Sequence, residues 1–133
     1  MINIDTIWLK IFFNGVFLYM SDYKKKKWYE WEKIVADYYR SKFYNILSQN
    51  YTIRWWEIDI VAENTKEVVF VEVKVVDSMD EIQWCVNSKK ISFLERSIED
   101  YIAKQNIDKN IRLDVVFVKD NNIIQVYENV TNN

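Results

Sequence analysis

Between residues 28 and 128 the chain alternates between helical and extended hydrophobic rhythms. Residues 28–43 place Trp28, Val35, Ala36, Tyr39 and Phe43 on one stripe, which predicts an amphipathic helix. Tyr44 to Arg54 follows neither rhythm; Asn45, Ser48 and Asn50 interrupt it, so it reads as a connector with a short extended piece. Strands are predicted over about 56–62 and 67–76, joined by the hairpin-length loop Glu63-Asn64-Thr65-Lys66. A polar crossover, 77–85, leads to a second helix starting at Asn87 or Ser88, either able to cap it, and ending at Gln105. Its Ile91, Leu94, Ile98, Tyr101 and Ile102 recur at helical spacing. Strands over 112–118 and 123–128, turned by Asp120-Asn121-Asn122, close the chain. The order α-β-β-β-α-β-β gives an α/β fold, a central mixed β-sheet flanked by helices. A crossover through the second helix makes strand 112–118 parallel to one central strand.

The strand 67–76 is almost wholly β-branched or aromatic, the composition of a strand buried on both faces. Glu72 and Lys74 interrupt it, and alternation puts both on the face of Phe70. Ions inside such a strand are costly unless paired, metal-bound or chemically employed. Asp59, with Glu57 on the same face, lies on the preceding strand. If the two strands form a hairpin, Asp59, Glu72 and Lys74 converge. Two carboxylates and a lysine form a divalent-metal site beside a phosphate-handling cation, the equipment of a nuclease. The bland alternative is a Glu72–Lys74 salt bridge on a half-exposed strand, which the apolar surroundings disfavour. Glu32, the lone carboxylate on the first helix's apolar stripe, suits a third metal ligand, or else a first-turn acid favoured by the helix dipole. Glu57 either extends the acidic cluster or pairs with Arg54 at the surface.

Composition narrows the chemistry further. There is no histidine, which removes Ser-His-Asp, Cys-His and histidine-ligated metal mechanisms. One cysteine, Cys85, excludes an internal disulfide and any multi-cysteine zinc site. A formal net charge of -2 is unlike the usual basic nucleic-acid binder, so affinity for DNA falls to local patches and bound metal. Lys89 and Lys90, opening the second helix, and Arg54 are the candidate phosphate contacts, with a solvated helix face as the plainer role for the lysines. Gln83 is a weaker candidate, and Asp114 reads equally as a structural acceptor or a site residue. The apolar stretch 7–20 is short for a membrane span and carries no leader or cleavage signal, so a cytoplasmic protein is expected. Residues 1–27 are expected to be an N-terminal extension, read as an over-called start or a weak membrane segment, with the domain at 28–133.

Glu32, Ala36, Tyr38-Tyr39, Asn50-Tyr51, Arg54, Glu57-Ile58-Asp59-Ile60-Val61, Phe70-Val71-Glu72-Val73-Lys74, Lys89 and Leu113-Asp114-Val115-Val116 form a pattern that resembles the small YraN-like proteins. These are relatives of archaeal Holliday-junction resolvases within the PD-(D/E)XK nuclease superfamily. The resemblance spans about residues 28–118 and implies a restriction-endonuclease-like core. It further implies that Asp59, Glu72 and the Val73 carbonyl hold Mg²⁺ or Mn²⁺. Lys74 would then orient water or offset phosphate charge, and Glu32 would complete the site. DNA is the implied partner, branched or single-stranded, in repair or recombination; a homodimer is implied by the same likeness, with no small-molecule cofactor. A non-catalytic DNA-binding module on the same fold and a membrane-tethered interaction domain are the rival readings.

The chain departs from the pattern it resembles at Trp31 and Trp56, where that pattern has glycine, and Trp28 falls near a further usual glycine. Six tryptophans against one glycine and no proline fit a gene whose UGA codons specify glycine. UGG codons at Trp31 and Trp56 would exclude that explanation and leave the alternative, genuine drift to a non-cleaving protein.

Overall fold

The computed structural model describes residues 22–53, 56–78 and 88–130. Its elements are α1 (Asp22–Ser41), β1 (Asn45–Ile53), β2 (Trp56–Glu63), β3 (Glu67–Val75), α2 (Ser88–Gln105), β4 (Asn110–Lys119) and β5 (Asn122–Tyr127). One five-stranded sheet has the order β1-β2-β3-β4-β5. All neighbours are antiparallel except β3 and β4, which run parallel across the α2 connection, as the crossover argument requires. This order and pairing match the restriction-endonuclease-like core.

β3 is the centre of the sheet because it is apolar on both faces; every residue from Val68 to Val76 is buried. The helices cover opposite faces. From α2, the Tyr101 ring packs edge-on against Phe70, with centroids 5.4 Å apart. Tyr39 of α1 instead reaches Asp114, which is in register with Val71, the next residue along β3. Adjacent strand residues point to opposite faces, so the two helices do as well. Glu72 and Lys74 therefore share the α2 face with Phe70.

α1 starts earlier than its apolar stripe suggests, at Asp22, so Lys24 to Lys27 belong to the helix. It also ends sooner, at Ser41. The amide of Phe43 donates to the Arg40 carbonyl (3.0 Å) and that of Tyr44 to the Tyr39 carbonyl (3.1 Å). That pair of bonds is a Schellman cap, and it demands a left-handed residue, here Phe43 at φ 68°. Phe43 was expected on the buried stripe; the cap turns it outward instead, to 90% exposure.

The segment expected to be mostly connector is a full strand, β1, with a bulge between Ile46 and Ser48. As the sheet's outer strand it tolerates polar side chains that a central strand would not. The β4–β5 hairpin closes on Asp120 and Asn121, both at positive φ, the two-residue turn whose twist matches the strands. No helix among the described residues is long and apolar enough to cross a membrane; the stretch 7–20 lies outside them.

Candidate functional site

The backbone ladder between β2 and β3 runs from Glu63↔Val68 to Ile60↔Val71 and then gives way. At the next position the Asp59 side chain takes over: its Oδ2 accepts a hydrogen bond from the Val73 amide at 2.8 Å. A carboxylate set between two strands in this way has a fixed orientation, because the amide that holds it belongs to the sheet. Val73 lies between Glu72 and Lys74, so Asp59 is tied to the strand that carries them. Lys74 Nζ stands 3.1 Å from Glu72 Oε1, with side chains only 3% and 5% exposed. A hydrogen bond from the main chain of β3 thus ties Asp59 to the strand that carries Glu72 and Lys74.

Burial makes this arrangement expensive. Asp59, Glu72, Lys74 and Glu32 are all buried, and apart from Ser97 and Asp114 they are the buried polar side chains of the described residues. Placing an ion pair in a low-dielectric interior costs several kcal/mol per ion, and apolar residues of the same size would often be at least as stable. Lys74 Nζ has its ionic contact with Glu72 but no hydrogen-bond acceptor among the described residues. An ammonium held this way is suited to meet an anionic ligand.

Glu32 comes from α1. That helix runs antiparallel to β3: near its C-terminal end Tyr39 reaches Asp114, whereas Trp31 donates to Asn121 Oδ1 (3.1 Å) in the turn after β4. Glu32 therefore sits at the end of the sheet where Glu72 and Lys74 lie, beneath the opposite face. Its Oε2 accepts from Asn50 Nδ2 at 2.9 Å, and its Oε1 from the Trp28 indole. Asn50 falls between the pairs Gln49↔Ile60 and Tyr51↔Ile58, which sets it across from Asp59. Glu32 is thus linked to the Asp59 position through β1. Sequence reasoning took Asn50 for a strand breaker and missed this contact; an asparagine inside a pairing segment was the available signal. Among the described residues no three acidic or cysteine side chains gather closely enough to chelate one ion together. The donor set nearest the β2–β3 gap is two carboxylates and the Val73 carbonyl. It fits magnesium, which is commonly bound by one or two carboxylates together with substrate phosphate oxygens.

Asp114 belongs to a separate, structural network. It accepts from Tyr39 Oη (2.6 Å), from Arg112 Nε and NH2 (both 2.9 Å) and from the Asn129 amide (3.0 Å). Arg112 also donates to Glu67, which takes a further bond from Tyr44. With its acceptors filled, Asp114 pins α1, β4 and the C-terminal tail together. Burial, reinforced by the neighbouring Asp114 carboxylate and its hydrogen bond, holds the Tyr39 hydroxyl far above the usual tyrosine range. Burial lowers the Arg112 pKa, but its bonds to Asp114 outweigh that and raise it overall.

Of the remaining candidates, Glu57 is half-buried on β2. Lys89 and Lys90 fall in the first turn of α2, with side chains outside the described residues, as are Arg54 and Gln83 altogether.

A family model described as "Uncharacterised protein family UPF0102" matches residues 31–118, the span that holds Glu32, Asp59, Glu72 and Lys74. The chain is similar to a UPF0102 protein of Campylobacter lari, 33% identical over 101 residues covering 75% of this chain and 88% of the relative. A UPF0102 protein of Thermotoga petrophila is 36% identical over 95 residues, 68% of this chain and 84% of that one. One from Carboxydothermus hydrogenoformans is 37% identical over 108 residues, 76% and 91% of the two chains.

Proposed function

The chain belongs to the UPF0102 family, the YraN-like group, and we propose that it is a magnesium-dependent phosphodiester hydrolase that cleaves DNA. The observation that carries this reading is the buried Glu72–Lys74 pair with Asp59 clamped to the amide between them. Asp59 and Glu72, with the Val73 carbonyl, would hold the cation. When bound, magnesium supplies positive charge where negative charge develops on the phosphate. Lys74 would face the same phosphate and orient the attacking water, its burial strengthening each interaction. The water oxygen would form the new bond to phosphorus as the ester bond breaks, the water giving up one proton to solvent and the leaving oxygen taking one up from it. Glu32 supports the site from α1 through Asn50. Lys89, Lys90 and Arg54 are proposed to contact the DNA backbone, and a symmetric homodimer would suit a branched substrate.

Cleavage of junction, flap, single-stranded and duplex DNA, titrated with Mg²⁺, tests the reading. The expected result is cleavage that requires the cation and falls by at least about 100-fold in Asp59→Ala and in Lys74→Ala. Cleavage that survives in both variants would contradict it. Salt-dependent DNA binding without metal-dependent cleavage would favour the non-catalytic module instead.

A further inference from the structure

In β1, both the backbone and the side chain of Asn50 depart from what a strand asks for. Its φ of 54° is left-handed, a conformation that asparagine tolerates better than most residues but that β pairing does not need. Nδ2 donates to Glu32 Oε2 at 2.9 Å, and this sets the amide's orientation, since the flipped form would press its carbonyl against a carboxylate. Oδ1 is then turned away from Glu32. It is buried and has no hydrogen-bond partner among the described residues. A buried amide oxygen without a donor is destabilising, and a glycine would meet the backbone requirement without it. The side chain therefore does something the strand does not require, and it does so across from Asp59.

On the metal-site reading above, we propose that Asn50 is a positioning residue of the cation site. Its amide N–H groups hold the Glu32 carboxylate in place, and its Oδ1 accepts a hydrogen bond from the hydration shell of the divalent ion. A neutral acceptor suits that place: magnesium and manganese keep several waters, whose O–H groups need acceptors. A further carboxylate there would repel Glu32.

Mn²⁺ titration calorimetry on the full chain without DNA tests this, alongside thermal melting in chelator. Asn50→Gly keeps the left-handed backbone and removes only the side chain. It takes one donor from the buried Glu32 carboxylate, so it is expected to melt lower than the wild type, and to bind Mn²⁺ about 10- to 100-fold more weakly. Unchanged Mn²⁺ affinity in Asn50→Gly would overturn the proposal and leave the Asp59–Glu72 site standing. Mn²⁺ affinity is read well below either melting transition, where a purely structural role of Asn50 would leave it unchanged. If the wild type takes up no Mn²⁺, or Asp59→Ala takes it up equally well, the site reading itself fails.

Discussion

At the scale of single residues, the Tyr39–Asp114–Arg112 network carries perturbed groups that serve the fold. Burial, reinforced by Asp114, raises the Tyr39 hydroxyl pKa above the usual tyrosine value of about 10. The folded state therefore keeps the proton at a pH where the unfolded chain has lost it. Stability from this group is complete below about pH 10 and declines as pH rises beyond that, by about 1.4 kcal/mol per pH unit. Denaturant unfolding of the wild type between pH 8 and 11.5 should show that decline, and Tyr39→Phe should flatten it. An equal slope in both would contradict the assignment. Its partner is more critical. Arg112→Met would leave Asp114 buried without its cation, for a predicted loss of about 3–5 kcal/mol by urea unfolding. These residues lie away from the proposed chemistry, so their variants should bind metal normally while folded.

At the scale of elements, the caps and edges decide what a hydrophobic pattern cannot. Phe43 occupies a left-handed C-cap and exposes most of its ring. A residue with a Cβ costs about 1–2 kcal/mol there, so Phe43→Gly should raise stability by roughly 1 kcal/mol, read as a higher melting temperature. A lower one would mean that the ring is needed where it is. The helical rhythm 28–43 could not reveal this reversal, since a cap is a property of backbone hydrogen bonds. β1 was hidden for a related reason. An outer strand with a bulge has no strict alternation to read, and Asn45, Ser48 and Asn50 look like breaks. By contrast β3 was legible almost to the residue, because a central parallel strand must be apolar on both faces. The parallel β3–β4 pairing followed from the intervening helix alone.

Across the whole molecule, the spacing of Asp59, Glu72 and Lys74 foretold the strand that binds them, but not how. Sequence alternation put Glu72 and Lys74 on one face; that Asp59 accepts from Val73 between the strands is a tertiary feature no local pattern carries. Glu32 was singled out for being charged on an apolar stripe, and its route to the site through Asn50 is a tertiary contact no local pattern encodes. The formal net charge of -2 gives little general attraction for DNA, so the proposed enzyme relies on its cation to draw phosphate to an acidic site. The most direct measurement is anomalous diffraction from a crystal of the protein equilibrated with Mn²⁺. A peak within coordination reach of the Asp59 and Glu72 carboxylates and the Val73 carbonyl is the predicted result. Ordered side chains with no peak between them, or manganese bound only elsewhere, would contradict it.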